Sequence, residues 1–417
     1  MDLWHIRGGR RLEGCCRIQG SKNAALPVLA AVILCPGHCE LLNVPRLSDV
    51  DASLRILCHL GCRVQRDEDR VLIDSSALSH CAVPHSLMAE MRSSILFLGA
   101  LLARCREARL SAPGGCRLGK RPIDLHLMAL RRLGAEIREE DGELICSAPA
   151  LRGAEILLPF PSVGATENAM LAACGAKGET VIRGAAREPE VAALAAFLSA
   201  AGARVHGAGS DTIRIGGFCP GKSVQFRIPG DRIAAATLAC ASVACGGDLM
   251  LTGADAGQIS AVLHFLNAAG CDIIPNNHAL RLRAAGRPTA VGPVVTAPYP
   301  GFPTDAQPLL MAALLRARGR TLIRETIFED RFRQAPELNR LGARIRVAGQ
   351  TAEILGVERL HGAALHAADL RGGAAMILGA LAAEGESVVF DEGHIRRGYE
   401  DLDLRLESLG AEITREQ

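Results

Sequence analysis

One eight-residue pattern occurs six times along the chain of 417 residues and limits the folds that the chain can adopt. Each copy begins with a leucine of a predicted helix, has a glycine four positions later and ends in valine or isoleucine. The glycine suits the left-handed conformation that ends a helix, and the β-branched residue favours a strand. The spacing of these glycines, 73, 68, 68, 72 and 68 residues, indicates a repeated structure. The glycines are Gly61, Gly134, Gly202, Gly270, Gly342 and Gly410.

A second and more apolar helix is predicted about 40 residues before each of these glycines, and a strand follows it. Each repeat therefore contains a strand, a buried helix, a strand, an amphipathic helix and a strand pair. Because a helix that is apolar on all sides must be buried, the sequence predicts an inside-out α/β fold with helices inside and sheets outside. The buried helices are predicted to start at residues 21–23, 91–93, 162–164, 229–231, 304–305 and 369–371.

The two ends of the chain indicate how the repeats are grouped. The last repeat opens near residue 367 and has about 50 residues, whereas the others need about 70. The first residues contain a strand-like stretch at 14–18, so that joining the two ends completes a sixth repeat. We therefore predict two domains of three repeats each. One comprises residues 22–229, and the other is discontinuous and comprises residues 1–21 plus 230–417.

The starts of the predicted buried helices carry polar and charged residues. A helix start presents unpaired N–H groups and a partial positive charge, which favour phosphates and carboxylates. Six such starts could converge on one cleft between the domains. Serine, aspartate and asparagine are also ordinary N-cap residues, so any single start has a purely structural interpretation. Lys22 and Arg92 place positive charges at helix starts, where the helix dipole is also positive. Each therefore needs a negatively charged partner, either a bound anion or a neighbouring carboxylate.

A glycine-rich loop at residues 113–124 contains Cys116 beside Arg117, Lys120 and Arg121. Cations near a thiol stabilise the thiolate and lower the pKa of the cysteine, which is typical of a reactive thiol. The chain has fifteen cysteines, however, and an inert Cys116 is equally compatible with the local sequence.

Two further stretches carry charged residues. Asp305 lies at a predicted helix start, where the dipole favours the ionised carboxylate, and it could act as a base or only as a cap. Arg396 and Arg397 lie in a loop that corresponds, three repeats later, to the loop of Cys116. They could belong to the same kind of site, or they could form only a solvated charged turn.

Composition excludes several classes of function. The net charge of +2 and the aromatic content of 3% argue against a nucleic-acid binder. The N-terminus does not resemble a signal peptide, and the apolar stretches are too short to span a membrane. The cysteines form no CxxC pair, so we expect neither a zinc site nor another metal, and free thiols favour a cytoplasmic protein.

The whole pattern resembles the enolpyruvyl transferases, and within them the UDP-N-acetylglucosamine 1-carboxyvinyltransferases. The resemblance extends from end to end and implies two inside-out α/β domains with the active site in the cleft between them. Its motifs are GSKNAALP at 20–27, PGGC at 113–116, KRPIDLH at 120–126, SVGAT at 162–166, AREPE at 186–190, GFPTD at 301–305, FEDR at 328–331, ADLR at 368–371 and RGY at 397–399.

The resemblance implies transfer of the enolpyruvyl group of phosphoenolpyruvate to the 3-hydroxyl of UDP-N-acetylglucosamine, the first committed step of peptidoglycan synthesis, without a cofactor. It implies that Asp305 is the base and that Cys116 is a general acid and the thiol attacked by fosfomycin, with Lys22 and Arg397 also catalytic. The implied phosphoenolpyruvate-binding residues are Lys22, Asn23, Arg92, Cys116, Arg121, Arg371 and Arg397. The implied residues for the nucleotide sugar are Asn23, Arg92, Arg121, Pro122, Ile123, Asp124, Leu125, Ser162, Val163, Gly164, Asp305 and Ile327.

Two alternatives remain open. The sister transferase that acts on shikimate 3-phosphate has the same fold and donor, although Cys116 and the stretch 121–124 resemble the nucleotide-sugar enzyme. A protein that binds the nucleotide sugar without turnover would be expected to lose some of Lys22, Cys116, Asp305 and Arg397, and all four are present. The chain departs from common family members at Phe160, which replaces a lysine of some members, and at Ala234 and Leu96.

Overall fold

The computed structural model describes residues 1–111, 123–221, 223–276 and 278–416. The chain divides into two compact units. The continuous unit spans Gly20–Pro229, and the discontinuous unit combines Met1–Gln19 with Gly230–Gln417.

Helices and strands alternate through both units, as the repeats predict. The helices are α1 (Lys22–Ala31), α2 (Ser48–His59), α3 (His85–Met88), α4 (Leu96–Cys105), α5 (Asp124–Arg132), α6 (Val163–Ala173), α7 (Pro189–Ala200), α8 (Arg232–Cys245), α9 (Ser260–Ala268), α10 (Gln307–Ala313), α11 (Gln334–Arg340), α12 (Leu370–Ala382) and α13 (Leu402–Glu407). Short 3-10 helices span Val32–Leu34, Arg92–Ile95, Ala256–Ile259, Thr304–Ala306 and Ile395–Arg397. The strands are β1 (Asp2–Arg7), β2 (Leu12–Arg17), β3 (His38–Leu42), β4 (Arg63–Asp67), β5 (Arg70–Asp74), β6 (Ala82–Val83), β7 (Glu107–Ser111), β8 (Glu136–Glu140), β9 (Glu143–Ser147), β10 (Glu155–Leu157), β11 (Thr180–Arg183), β12 (Arg204–His206), β13 (Thr212–Gly216), β14 (Ser223–Arg227), β15 (Gly247–Thr252), β16 (Cys271–Asn276), β17 (Ala279–Ala284), β18 (Val294–Val295), β19 (Arg320–Arg324), β20 (Ile345–Ala348), β21 (Thr351–Leu355), β22 (Ala364–Ala367), β23 (Glu386–Asp391) and β24 (Glu412–Glu416).

The strands form four-stranded sheets that share one topology throughout the described residues. Each sheet has one parallel strand pair, and its two remaining strand pairs are antiparallel. The continuous unit has the orders β14-β3-β5-β4, β6-β7-β9-β8 and β10-β11-β13-β12. The discontinuous unit has the orders β22-β23-β1-β24, β16-β17-β15-β2 and β18-β19-β21-β20.

Distant strands close the first sheet of the continuous unit and the last sheet of the discontinuous unit. In the continuous unit, β14 pairs in parallel with β3, so that Val224 lies opposite Cys39. In the discontinuous unit, β1 pairs with both β23 and β24, so that Ile6 lies opposite Ile413. The N-terminal strand therefore completes the sheet of the last repeat.

The interior of each unit is built from apolar helices. In the continuous unit α4 packs against both α1 and α6, and in the discontinuous unit α8, α10 and α12 pack against one another. Residues 371–382 of α12 are all buried, as are residues 233–244 of α8. The sheets cover these helices with one face, which is why burial alternates along β15. The predicted α/β class, with helices inside and sheets outside, is confirmed.

The six repeat glycines end the amphipathic helices and lie in the conformation that the sequence predicts. Their φ angles are 98° at Gly61, 96° at Gly134, 106° at Gly202, 101° at Gly270, 86° at Gly342 and 91° at Gly410. A side chain is strained at such angles, so glycine is required where each helix turns into the following strand.

Candidate active site

The first predicted site residues of the continuous unit lie at the start of α1. Ser21 caps this helix, since its Oγ accepts the N–H of Ala24 at 3.3 Å. Nζ of Lys22 lies 3.0 Å from Oδ2 of Asp49, and both side chains are largely buried. The sequence suggested that a lysine at this helix start needs either a bound anion or a neighbouring carboxylate. Asp49 supplies such a carboxylate.

Asn23 connects α1 to a group of acidic residues on α6 and near the start of α7. Its Nδ2 donates to Oε1 of Glu190 at 3.4 Å. Glu188, Glu190 and Glu167 are all buried. Burial and the charges of Glu190 and Glu188 raise the pKa of Glu167 well above its ordinary value, so that this carboxyl group is protonated over a wider pH range.

The predicted nucleotide-binding residues of α5 and α6 lie close together. Asp124 and Leu125 are the first residues of α5, directly after Ile123. On α6, Val163 and Gly164 follow the N-cap Ser162, whose Oγ accepts the N–H of Ala165 at 3.4 Å. His126 connects the two helices, because a Cβ atom at Gly164 would lie only 3.0 Å from Cε1 of the imidazole.

Arg92 begins the 3-10 helix Arg92–Ile95 that leads into α4. Ser94 fixes this turn, since its Oγ lies 2.8 Å from the carbonyl oxygen of Met91 and 3.1 Å from that of Met88, and its hydrogen is shared between them. Burial lowers the pKa of His126, and the guanidinium charge of Arg92 lowers it further, which indicates that Arg92 lies near the start of α5. Cys116, Arg121 and Pro122, together with Lys120, lie outside the described residues.

Asp305 is the best-defined predicted site residue of the discontinuous unit. It lies in the 3-10 helix Thr304–Ala306 that precedes α10. Nη2 of Arg331 lies 2.9 Å from its Oδ1, and Nη2 of Arg371 lies 3.3 Å from its Oδ2. Both guanidinium groups are almost fully buried, whereas the side chain of Asp305 is 32% exposed. Asp305 therefore contacts two buried guanidinium groups and still has part of its side chain at the surface of the unit.

Arg371 has hydrogen-bonding capacity beyond its contact with Asp305. Its Nε and Nη1 atoms are buried and make no hydrogen bond of good geometry to a described residue, although the hydroxyl group of Tyr399 lies close to the guanidinium. The guanidinium lies over the ring of Tyr399, 5.3 Å from the centroid, and beside Gly398. Arg397 lies next to this glycine, in the 3-10 helix Ile395–Arg397 rather than in the open loop that the sequence predicts. Buried, unfilled N–H groups next to a carboxylate are suited to an anionic group of a ligand.

Glu325 holds two predicted parts of this site in place. Its carboxylate is fully buried and accepts hydrogen bonds from Oγ1 of Thr296 and Oγ1 of Thr304, both at 2.9 Å. It also accepts the N–H groups of Ile327 at 2.8 Å and Phe328 at 3.2 Å. One buried carboxylate therefore positions both Ile327 and the helix of Asp305.

Sequence reasoning assigned no role to several residues that form these contacts. Arg331 and Asp369 belong to the FEDR and ADLR motifs, but their partners are distant in the chain. Asp369 caps α12, and its Oδ1 lies 3.8 Å from Nη1 of Arg331. One feature of the sequence could have identified Glu325, namely its position as an acidic residue directly after a predicted strand.

Three structural properties bear on the function classes. Within residues 1–111, 123–221, 223–276 and 278–416, no group of three His, Cys, Asp or Glu side chains could hold a metal ion. No helix in this described part of the chain is long and apolar enough to cross a membrane. The described cysteines are free thiols.

Comparison with known proteins identifies the family to which the chain belongs. Residues 6–406 match the family described as EPSP synthase (3-phosphoshikimate 1-carboxyvinyltransferase). UDP-N-acetylglucosamine 1-carboxyvinyltransferase 2 of Caldanaerobacter subterraneus subsp. tengcongensis is 45% identical over 415 residues and covers 100% of both chains. The protein of the same name from Mesorhizobium japonicum is 46% identical over 416 residues and covers 100% of this chain and 99% of its own.

A solved structure is similar over the whole chain. The crystal structure of the enolpyruvyl transferase NikO from Streptomyces tendae has a TM-score of 0.89 and 27% sequence identity, and the match covers 100% of this chain and 99% of that one. Full-length similarity to enolpyruvyl transferases thus extends from the sequence to the fold. The chain belongs to the enolpyruvyl transferase family and, within it, to the UDP-N-acetylglucosamine 1-carboxyvinyltransferases.

Proposed function

We propose that the protein transfers the enolpyruvyl group of phosphoenolpyruvate to the 3-hydroxyl of UDP-N-acetylglucosamine and releases phosphate. The full-length relatives with the matching name support this substrate pair. The reaction is the first committed step of peptidoglycan synthesis, and we place it in the cytoplasm.

The observation that carries the proposal is the position of Asp305 between Arg331 and Arg371. A carboxylate that is partly exposed can accept a proton from a hydroxyl group of a ligand. The buried donors of Arg371 can bind an anionic group of the second ligand at the same place. The arrangement therefore suits the reaction of a hydroxyl compound with an anionic donor.

The proposed reaction is an addition followed by an elimination. Asp305 takes the proton of the 3-hydroxyl while the oxygen attacks C2 of phosphoenolpyruvate. Cys116 donates a proton to the methylene carbon, which becomes a methyl group and gives a tetrahedral ketal. Phosphate then leaves and the methyl group loses a proton, so that the vinyl group is restored. Lys22, Arg371 and Arg397 stabilise the negative charge of the phosphate and carboxylate groups.

We assign the predicted residues to the two substrates on the same basis. Phosphoenolpyruvate is bound by Lys22, Asn23, Arg92, Cys116, Arg121, Arg371 and Arg397. The nucleotide sugar is bound by Asn23, Arg92, the stretch 121–125, Ser162, Val163, Gly164, Asp305 and Ile327. Ammonium and guanidinium groups supply the charge neutralisation in this scheme, so the proposal includes no cofactor and no metal. Fosfomycin is proposed to react with the thiol of Cys116.

The sister reaction with shikimate 3-phosphate is the main alternative, and product identification separates the two. The purified protein is incubated with phosphoenolpyruvate and either acceptor, and the products are analysed by mass spectrometry and NMR. We expect a vinyl ether on the 3-oxygen of UDP-N-acetylglucosamine and no product from shikimate 3-phosphate. Product from shikimate 3-phosphate alone would overturn the proposal. Binding of UDP-N-acetylglucosamine without any product would instead indicate a paralogue without turnover.

A further inference from the structure

Gln19 is a buried residue that pairs at two points with the backbone of the segment 398–400. It is 4% exposed and is the last residue of the N-terminal part of the discontinuous unit. Its Nε2 donates to the carbonyl oxygen of Gly398 at 2.9 Å, and its Oε1 accepts the N–H of Glu400 at 2.8 Å. The proposed mechanism does not use this residue.

The two bonds fix the orientation of the Gln19 side chain. A carbonyl oxygen can only accept and a backbone N–H can only donate, so reversing the amide would lose both bonds. The backbone of Gln19 is held as well, because its carbonyl oxygen accepts the N–H of Asp231 at 2.8 Å. Asp231 caps α8, so the pairing joins the segment 398–400 to the start of this helix.

A side chain of α13 holds the same segment at a second point. Nε of Arg405 donates to the carbonyl oxygen of Glu400 at 2.8 Å, and its Nη2 donates to Oε2 of Glu400 at 2.9 Å. Its Nη1 donates to the carbonyl oxygen of Arg17, at the end of β2. Gln19 and Arg405 thus both connect the chain that follows β2 with the segment 398–400.

This segment lies beside the two arginines to which we assign only phosphoenolpyruvate. Arg397 directly precedes Gly398 at the end of the 3-10 helix Ile395–Arg397. A Cβ atom at Gly398 would lie 3.3 Å from Nη1 of Arg371. The guanidinium of Arg371 also lies over the ring of Tyr399, whose hydroxyl group is 2.9 Å from Oγ1 of Thr237 on α8. A displaced segment would therefore displace both arginines.

We infer that Gln19 is a positioning residue of the proposed reaction, which holds Arg397 and Arg371 in the geometry that binds the anionic groups of phosphoenolpyruvate. The inference rests on the proposed function and adds to it a residue that acts only through the two arginines. Guanidinium groups bind carboxylates and phosphates through directed N–H···O bonds, so a small displacement lowers affinity. Because neither arginine is assigned to the nucleotide sugar, Gln19 should affect phosphoenolpyruvate selectively.

Steady-state kinetics of Q19M tests this selectivity. Methionine keeps the length of the side chain but makes neither backbone hydrogen bond. We expect Q19M to raise the KM for phosphoenolpyruvate about tenfold, whereas the KM for UDP-N-acetylglucosamine stays within about twofold of wild type.

Q19E keeps the shape of the side chain and tests the direction of the bonds. At pH 8 its carboxylate can still accept the N–H of Glu400, but it cannot donate to the carbonyl oxygen of Gly398. Two acceptor oxygens then face each other, so the KM for phosphoenolpyruvate should rise at least as much as in Q19M. A Q19E variant with the wild-type KM for phosphoenolpyruvate would overturn the inference, also in the case that Q19M does not fold.

Asn339 provides a matched control in the same unit. From α11 its Nδ2 donates to the carbonyl oxygen of Ile345, and its Oδ1 accepts the N–H of Ile345, both at 2.9 Å. N339L therefore loses an equivalent pair of bonds to β20, a strand without a proposed site residue. Both KM values of N339L should stay within about twofold of wild type. If N339L raises the KM for phosphoenolpyruvate as much as Q19M does, the effect of Q19M reflects general destabilisation, and the inference is wrong.

Hydrogen exchange of the Glu400 N–H reports on the pairing itself. We expect this amide to exchange at least about tenfold faster in Q19M than in wild type, because its acceptor is lost. In Q19E the acceptor remains, so the amide should stay protected. Unchanged exchange in Q19M would contradict the assignment of Gln19 as the residue that holds the segment.

The outcomes separate the inference from the proposed function. Faster exchange at Glu400 in Q19M with a wild-type KM for phosphoenolpyruvate would overturn the inference and leave the proposed function intact. Equal rises in the two KM values of Q19M would also overturn it, since positioning of Arg397 and Arg371 predicts a selective effect. If wild type forms no enolpyruvyl product from the two substrates, the proposed function is wrong and the inference fails with it.

Discussion

Nη2 of Arg331 donates to Oδ1 of Asp305 at 2.9 Å, and the guanidinium that makes this bond is only 2% exposed. Nε of the same side chain lies 3.4 Å from the carbonyl oxygen of Thr304, and Nη1 lies 3.8 Å from Asp369. One buried cation therefore holds the carboxylate of Asp305, the turn that carries it and the cap of α12. The position of the proposed base depends on this residue.

Replacing Arg331 by methionine should destabilise the protein, because the substitution leaves Asp369 and part of Asp305 without their buried partner. We expect R331M to lower the free energy of unfolding by roughly 3 kcal/mol. Arg320 pairs with Glu353 at 3.0 Å but is 63% exposed, so R320M is a matched control with an expected loss below about 1 kcal/mol. Urea unfolding measures both, and equal losses would contradict the stabilising role of Arg331.

Replacing Asp305 by asparagine should remove the proposed base and keep the shape of the side chain. We expect kcat to fall by about a thousandfold, within the range for loss of a general base, while KM for UDP-N-acetylglucosamine changes much less. The control is D248N, at a carboxylate that pairs with Arg281 on the surface of a sheet of the same unit. Steady-state kinetics at varied concentrations of UDP-N-acetylglucosamine measure kcat and KM of these variants. A D305N variant with the kcat of wild type would show that Asp305 is not the base.

The repeated architecture could be predicted because local chemistry specifies it. The glycine at the end of each amphipathic helix must adopt a positive φ, and this requirement recurs at Gly61, Gly134 and four further positions. The apolar helices likewise show their burial in their composition, as in α8. Periodicity and helix-end signals act over a few residues, so the sequence displays them directly.

The contacts within the candidate site could be predicted only in part, because they join residues far apart in the chain. The pair of Lys22 and Asp49 was left open between a bound anion and a carboxylate, and only the packing of α1 against α2 identifies the carboxylate. The contact of His126 on α5 with Asn168 on α6, 3.1 Å between Nδ1 and Nδ2, likewise joins two helices. No periodicity encodes such tertiary contacts. The roles proposed for Cys116 stay predictions, since it lies outside the described residues.

The buried carboxyl group of Glu167 should make stability depend on pH. Its pKa is raised in the folded state above the ordinary 4.5, mainly by burial, so the folded protein retains a proton that the unfolded chain releases. Wild type should therefore lose stability as the pH rises above about 4.5 toward the raised pKa, whereas E167Q should not. We expect E167Q to match wild type near pH 4.5 and to exceed it in free energy of unfolding at pH 8.

Chemical unfolding of both proteins across this pH range provides the measurement. Glu139 is exposed on β8, so E139Q is the matched control and should follow wild type. If E167Q is less stable than wild type at pH 8, the folded protein stabilises the ionised carboxylate of Glu167, and the prediction is wrong.

His126 should produce the opposite dependence at lower pH. Its pKa falls from 6.5 in the unfolded chain to about 4 in the folded protein, so the unfolded chain binds more protons between these values. Stability is therefore fully present above pH 6.5 and is lost as the pH falls toward 4. The loss should reach about 2 kcal/mol by pH 5.

H126Q should lack this part of the pH dependence, because glutamine does not titrate. The relevant quantity is the difference in free energy of unfolding between wild type and H126Q at pH 7.5 and at pH 5. H206Q, at an exposed histidine, serves as the control and should parallel wild type. If the difference between wild type and H126Q is the same at both pH values, His126 is not held neutral by the fold.

The most direct test of the proposed reaction is phosphate release from phosphoenolpyruvate by wild type and C116S, with and without UDP-N-acetylglucosamine and with and without fosfomycin. We predict that wild type releases phosphate only when the nucleotide sugar is present, and that fosfomycin abolishes this release. C116S lacks the proposed proton donor and should release much less phosphate, and fosfomycin should not reduce this residual release, because the variant lacks the thiol. Phosphate release that does not require UDP-N-acetylglucosamine, or no release in its presence, would contradict the account.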